Sequence, residues 1–282
     1  MRLVPLLVAL ALAGASIVPV WANPIDYRLG LLAWQGDFGG ADRVTLTQIP
    51  LELVFPGRSS SLSIIIPYDQ IDRTGNVTLT ADGPALLGVG GPGRPAWQTS
   101  PAGERRSGPG DVVLRDEIVL SRAGKGKRPA LALVLDYKQP TADERKGLGT
   151  GKRDWGIGLS YVQPLGKRWQ ILGDAGYRFM GDPSGVNFNN RRRLSAGLGF
   201  VANRLTWRFL VENLTPLLDT VPWFDAAGLP IGFREVQDHR LARLDLTLRS
   251  LPGGTTRIGL TKGFNDSTEQ YGFVLEFSTG GR

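Results

Sequence analysis

Arginine and carboxylate side chains recur in this sequence at every second position of several apolar segments. Asp174 and Arg178 lie four residues apart in one segment, and Arg208 and Glu212 do so in another. The planar guanidinium of arginine binds carboxylates through two parallel hydrogen bonds, which suits ion pairs in a confined polar space. The full candidate set consists of Asp174, Arg178, Arg193, Arg208, Glu212, Arg243, Asp245, Arg249 and Arg257, together with Arg28, Glu52 and Glu276.

The sequence contains few side chains that are suited to catalysis or to metal binding. The chain has no cysteine and one histidine, which excludes disulfides, thiolate metal sites and histidine clusters. His239 lies in Asp238-His239-Arg240 with no serine nearby, so we interpret it as a solvated loop residue rather than a general base. The segment Gly149-Thr150-Gly151-Lys152 lacks the spacing of a phosphate-binding loop. We therefore expect no enzyme, no cofactor and no metal.

The N-terminal residues indicate export. Met1 and Arg2 precede the uncharged, mostly apolar stretch 3–20, and Ala22 offers a small residue for cleavage. This pattern predicts that residues 1–22 are a cleaved signal peptide; the alternative is an uncleaved anchor helix. The 282-residue chain has a net charge of +7, but export argues against a nucleic acid partner.

The rest of the chain has the period of two residues that is typical of β-strands. In 169–179 the odd positions are apolar, aromatic or small, and the even positions include Gln170, Asp174 and Arg178. Such segments have about ten residues, the length that a tilted strand needs to cross a membrane. Twelve strands are predicted near 26–35, 43–55, 60–69, 111–121, 129–138, 154–164, 168–180, 192–202, 204–214, 240–250, 255–264 and 269–278.

The connections between these strands alternate between short turns and longer loops. This asymmetry is typical of an outer-membrane barrel with both termini in the periplasm, and a soluble β-sandwich does not predict it. We therefore predict that residues 23–282 form an all-β, transmembrane, up-and-down antiparallel β-barrel of about twelve strands. The arginine and carboxylate set would then line the lumen. It either attracts anions into a water-filled channel or only holds a closed interior together.

Three segments complicate this prediction. The external loop 70–110 is rich in glycine and proline, and we expect it to plug the lumen partly, because Leu86, Leu87, Val89 and Trp97 are apolar; the alternative is disorder. In the strands 43–55 and 111–121 the alternation of apolar and polar positions is not regular throughout. Gln48 or Asp116 would therefore face lipid unless a bulge shifts it.

Several motifs resemble a bacterial outer-membrane family labelled as phenol-degradation meta-pathway proteins and described as transporter-like. The most telling are Gln139-Pro140-Thr141-Ala142-Asp143, the glycine-rich segment 147–151 that follows it, Asp154-Trp155-Gly156-Ile157-Gly158-Leu159, and Gly176-Tyr177-Arg178-Phe179 with Gly181-Asp182-Pro183. The resemblance covers about residues 45–280. It implies a barrel of the outer membrane that moves or binds small apolar or aromatic compounds. Barrels of this kind usually end on an aromatic residue, whereas five residues follow Phe277 here.

The sequence thus predicts a porin-like outer-membrane channel or transporter-like barrel for passive passage or binding of small compounds. The alternative is a structural or surface-interaction barrel with a closed lumen. The expected partners are outer-membrane lipid, a small-molecule ligand in the lumen and the outer-membrane assembly machinery.

Overall fold

A computed structural model describes residues 25–36, 44–72, 77–80, 83–86, 105–123, 128–183, 187–224, 230–250, 253–265 and 270–279. The expected signal peptide, residues 1–22, and most of loop 70–110, including Leu87, Val89 and Trp97, lie outside these residues. Within the described ranges, no helix has both the length and the apolar character that a membrane span requires.

Within the described ranges, seventeen strands make up nearly all of the regular structure. They are β1 (Asp26–Gly36), β2 (Val44–Pro56), β3 (Ser60–Asp72), β4 (Val77–Thr80), β5 (Gly83–Leu86), β6 (Arg106–Pro109), β7 (Val112–Ser121), β8 (Ala130–Gln139), β9 (Asp154–Leu165), β10 (Trp169–Phe179), β11 (Arg191–Ala202), β12 (Leu205–Leu214), β13 (Thr220–Phe224), β14 (Pro230–Glu235), β15 (His239–Arg249), β16 (Thr255–Gly263) and β17 (Tyr271–Ser278). A 3-10 turn, Glu144–Lys146, follows β8.

Twelve of these strands close into an antiparallel barrel. Each long strand pairs with its neighbours in chain order, from β1 through β3, β7 to β12 and β15 to β17, and β17 pairs back with β1. Strand β6 extends the β7 side of β3, while β4–β5 and β13–β14 are separate hairpins. Closure pairs the backbone groups of each strand on both sides, which a sheet in hydrocarbon requires. The predicted twelve-stranded, all-β barrel is therefore confirmed.

The two ends of the barrel differ in their connections. One end, here called the short-turn end, carries the turns 57–59, 122–129, 166–168, 203–204 and 250–254; the other, the long-loop end, carries the longer connections. Gly166 and Gly253 adopt φ of 68° and 105°, a region that glycine enters without steric cost and that reverses the chain within a few residues.

The outer face of the barrel is apolar. Leu194 is 58% exposed and Leu260 is 55% exposed, and both lie at positions that alternate with inward-facing polar residues. Exposed aromatic rings lie near both ends of the strands, with Trp155 and Tyr271 at the long-loop end and Trp169 at the short-turn end. An apolar band between aromatic rings matches the hydrocarbon core of a membrane and its two interfaces.

The structure gives different answers for Gln48 and Asp116, the two polar residues that the sequence placed on the lipid side unless a bulge shifted them. Gln48 faces inward and donates to Asp69 Oδ1 at 2.9 Å, and the pairing of β2 with β1 keeps one register, so no bulge is needed. The sequence was misleading because the inward positions Val44 and Leu46 are apolar. Asp116 lies opposite the outward residues Leu62 and Leu135. The register shift of β7 comes after it, between Val119 and Ser121, and leaves Asp116 on the outer face.

Candidate functional site in the barrel lumen

Two adjoining cavities occupy the interior of the barrel. One has a volume of about 260 Å³, the other about 310 Å³, and both are lined by Arg115, Arg193 and Leu214. Charged side chains make up much of both linings, although the outer face of the same strands is apolar. The lumen is therefore polar space that small solutes or water can enter, enclosed by a wall that suits lipid.

The smaller cavity is organised around Asp136 on β8. Its Oδ1 accepts from Arg115 Nε at 2.7 Å and its Oδ2 from Arg178 at 3.1 Å, which joins β7, β8 and β10 across the inner face. Asp174, next to this network on β10, accepts a 2.7 Å hydrogen bond from the Ser195 hydroxyl. The carboxylates here are thus held by donors from neighbouring strands.

A second network lies on β15, β16 and β17. Asp245 is 4% exposed, and it pairs with Arg243 at 2.9 Å and with Arg257 at 3.2 Å. Arg257 also reaches Glu276 at 3.5 Å. Two arginines and two carboxylates therefore alternate in space along this part of the wall.

Two further pairs complete the lumen wall. Arg193 contacts Glu212 at 2.8 Å between β11 and β12, and Arg28 contacts Glu52 at 3.3 Å between β1 and β2. The arginine of each pair is about two-fifths exposed and its carboxylate is mostly buried; of the two arginines, Arg193 lines both cavities. Because part of the Arg193 side chain remains solvated and lines the cavities, it can still contact a solute.

Arg208 and Arg249 differ from the rest of the predicted set. Both are exposed near the short-turn end. Arg208 lies opposite Asp245 in the strand register, yet Arg243 and Arg257 already hold that carboxylate. Neither Arg208 nor Arg249 forms an ion pair with a described residue. The candidate set is therefore divided into paired side chains inside the lumen and two unpaired arginines at one mouth.

The sequence reasoning missed a buried ion cluster near the long-loop end. Lys138 is fully buried, and its Nζ contacts Asp111 Oδ2 at 3.0 Å, Asp154 Oδ2 at 2.9 Å and Thr150 Oγ1 at 2.8 Å. Asp111 Oδ1 also accepts from the backbone N–H groups of Thr141 and Ala142, each at 3.0 Å. Segment 140–151 is thereby bound to β7, β8 and β9.

Glycine is needed where this segment meets the cluster. A Cβ atom on Gly149 would lie 2.6 Å from Asp111 Oδ2 and 2.8 Å from the Ala142 side chain. Only a residue without a side chain lets the backbone approach the buried carboxylate so closely.

Segment 140–151 also carries an apolar side chain into the mouth of the barrel. Leu148 is 1% exposed and packs in one cluster with Val44, Leu46, Ile71 and Val236. These residues come from β2, β3, the loop after β8 and the loop after β14. The apolar cluster therefore narrows the lumen at its long-loop end.

One described residue of loop 70–110 also reaches into the mouth. Thr80 is 6% exposed, lines the larger cavity and accepts a hydrogen bond from Arg191 at 3.2 Å. Arg191 begins β11, which is five strands away from β3 around the barrel. The β4–β5 hairpin thus extends across part of the opening.

His239 does not lie in a solvated loop, contrary to our interpretation of the sequence. It is the first residue of β15, is 3% exposed and lines the larger cavity. The error arose because the sequence gives no sign that the preceding loop folds back over the strand end. Among the described residues there is no group of three or more histidine, cysteine or acidic side chains able to hold a metal ion.

Comparison with known proteins finds similar structures but no similar sequences. No protein-family model matches the sequence, and no curated protein matches it significantly. The structure resembles the COG4313 outer membrane channel from Pseudomonas putida F1, with a TM-score of 0.65, 12% identity, and coverage of 93% of this chain and 96% of that one. The shared closed barrel supports an outer-membrane location.

Two other structures are more distant, each with a TM-score of 0.49. The NanC porin has 8% identity and covers 92% of this chain and 99% of its own. The β domain of the Bordetella autotransporter BrkA has 11% identity and covers 91% and 99%. The likeness to the Pseudomonas putida channel supports the resemblance to outer-membrane barrels at the level of the fold, and the link to phenol degradation stays a prediction.

Proposed function

We propose that this protein is an outer-membrane channel or transporter-like barrel that passes or binds small compounds without catalysis or a cofactor. The observation that carries the proposal is the pair of charged interior cavities inside a barrel whose outer face is apolar. A barrel that served only as an anchor would not need solvated arginines facing internal cavities. In this proposal residues 1–22 direct export and are removed, and residues 23–282 form the barrel with the help of the assembly machinery.

The solute that fits this interior has both apolar and polar parts. Trp34 and Leu218 pack against the apolar cluster at the long-loop mouth, and the charged cavity begins directly beside it. A small aromatic or apolar compound with a polar group would contact the cluster first and the arginines next. The family resemblance of the sequence supports the same class of solute.

A barrel with a closed lumen is the second candidate, because the mouth is tightly packed. Val44, Leu46 and Ile71 are fully buried, and Leu148 fills the space between them. In this reading the external loops bind a partner and nothing passes through the barrel.

Single-channel recording in planar bilayers distinguishes the two candidates. The channel predicts discrete conductance steps for the parent protein, and larger steps for Leu148→Ser, because the smaller side chain widens the constriction. Leu194→Ser, on the outer face of β11, is the matched control and should leave the step size unchanged. Refolded, heat-modifiable protein that gives no steps in the parent or in Leu148→Ser would refute the channel and support the closed barrel.

A further inference from the structure

We propose that the short-turn end of the barrel has a binding site for an anionic phospholipid, formed by the aromatic residues Trp169, Phe200 and Trp207 and the basic residues Lys167, Arg168 and Arg204. We call these six residues the basic-aromatic patch. The inference rests on the expected orientation of the barrel, with both termini and the short-turn end in the periplasm, and is independent of channel activity.

The three aromatic rings form one continuous surface on the outer face. Trp169 on β10 lies opposite Phe200 on β11, which lies opposite Trp207 on β12. The ring centroids are 5.0 Å apart for Trp169 and Phe200, 5.7 Å for Phe200 and Trp207, and 5.9 Å for the two tryptophans. Rings of this kind lie at the level where acyl chains meet headgroups, since the indole is apolar on its faces and polar at its N–H.

The three basic residues lie immediately beyond the rings. Lys167 and Arg168 form the turn before Trp169, and Arg204 lies in the turn between β11 and β12. The backbone N–H of Val201 donates to the Arg168 carbonyl at 2.7 Å, which brings the two turns together. All three side chains are exposed, and none forms an ion pair with a described residue.

These three cations differ from those of the lumen networks in having no ion pair with a described residue. The cations of the lumen networks contact carboxylates, as Arg257 does with Asp245 and Arg193 with Glu212. A cation without a protein partner at a membrane interface is available to a lipid phosphate, and arginine binds phosphate oxygens through two donors.

The charge of the short turns has one sign throughout. The described residues of the five turns include Arg58, Arg122, Arg128, Lys167, Arg168 and Arg204, and no aspartate or glutamate. The long-loop segment 140–153 instead carries both signs, with Asp143 and Glu144 beside Arg145 and Lys146. The excess positive charge at this end is therefore complementary to an anionic leaflet, and the basic-aromatic patch adds the apolar surface that an acyl chain needs.

Native mass spectrometry of the full protein in neutral detergent tests the proposal. Phosphatidylglycerol should bind more tightly than phosphatidylcholine. The triple variant Lys167→Gln/Arg168→Gln/Arg204→Gln should bind phosphatidylglycerol about fivefold more weakly for each charge removed. Trp169→Leu/Trp207→Leu should also weaken lipid binding, because the ring surface is lost.

The matched control removes three exposed cations at the opposite end, on β11, β15 and β16, as Arg192→Gln/Arg240→Gln/Lys262→Gln. It should bind phosphatidylglycerol as the parent does. Equal losses in the two triple variants, or no preference for phosphatidylglycerol, would overturn the site.

Two other ligands have their own outcomes. Competition by millimolar glycerol phosphate would show a site for free phosphate esters rather than for a lipid. A preference for lipid A would place this end in the outer leaflet. Either result would refute the proposed phospholipid site. A silent bilayer recording would leave these binding results unaffected, so failure of the channel and failure of the lipid site are distinguishable.

Discussion

Lys138 is the most completely buried cation among the described residues of the barrel wall, and its environment explains why segment 140–151 has a fixed position. Asp111 and Asp154 neutralise it from two neighbouring strands, and Thr150 adds a third contact. Removing one partner of a buried ion pair leaves the others charged and without compensation, which costs far more than the pair contributes when intact.

We therefore expect Lys138→Met to destabilise the barrel by about 3–5 kcal/mol, because two buried carboxylates lose their counter-charge. The measurement is urea unfolding of the refolded protein, followed by tryptophan fluorescence. Lys152→Met is the matched control, since Lys152 is exposed and directly follows the segment, and it should change stability by less than about 0.5 kcal/mol. Equal effects of the two variants would show that the cluster does not hold the segment.

The position of Lys138 was within reach of sequence reasoning, but its partners were not. Lys138 has the same parity as Ala132, Val134 and Asp136, so the period of β8 places it on the inner face. Asp111 and Asp154 are brought to it by the register between strands and by a loop that folds inward. Neither of these follows from local periodicity.

At the scale of elements, the strands were predictable because each has one face toward lipid and one toward the lumen. All twelve predicted strands are present, with bounds that differ by a few residues at most. The hairpins β4–β5 and β13–β14 and the inward course of segment 140–151 were not predicted. Their positions depend on contacts such as Thr80 with Arg191, which join residues far apart in the sequence.

On the outer face of β15, the cost of introducing an arginine should depend on how deep the position lies in the membrane. Leu244 lies opposite Phe209 and Leu260, near the middle of the strands, whereas Leu246 lies opposite Trp207, closer to the interface. Arginine at Leu244 should cost about 2–4 kcal/mol, and arginine at Leu246 less, because the cost of a charge falls toward the interface.

Thr247→Arg is the matched control for this series, since Thr247 faces the lumen between Thr206 and Arg257. It should cost the least of the three. Unfolding free energies from urea titrations give the order. An equal cost for all three arginines would mean that the faces of β15 are assigned wrongly. Gly272 is unsuitable as a control, because a Cβ there would lie 2.0 Å from Thr261 Oγ1.

For the whole molecule, the proposed orientation places the short-turn end in the periplasm. Because the chain contains no cysteine, single cysteines can report on each end without a background. In intact cells, a membrane-impermeant maleimide should label Lys146→Cys in the long-loop segment and leave Ser59→Cys unlabelled. Both should react after the outer membrane is permeabilised. Labelling of Ser59→Cys in intact cells would reverse the orientation.

The lumen networks bear on selectivity because most of their charges cancel in pairs. Sequence reasoning counted more arginines than acids, but the structure adds four acids to the inner wall, Asp69, Asp111, Asp136 and Asp154, beside the cations Arg115, Lys138 and Arg191. The middle of the lumen therefore has little net charge. The unpaired Arg208 and Arg249 at the short-turn mouth remain as the positions whose field acts on a passing ion.

If the barrel conducts, the double variant Arg208→Gln/Arg249→Gln should lower its preference for anions and leave its stability unchanged, because neither arginine holds a carboxylate. Arg243→Gln is the contrasting variant. It should alter selectivity little, because Arg243 is paired with Asp245. It should also destabilise the barrel by less than a buried carboxylate without any partner would, because Arg257 still contacts Asp245. Reversal potentials in a salt gradient measure the first effect and urea unfolding the second. A larger selectivity change in Arg243→Gln than in the double variant would place the selective region inside the lumen rather than at its mouth.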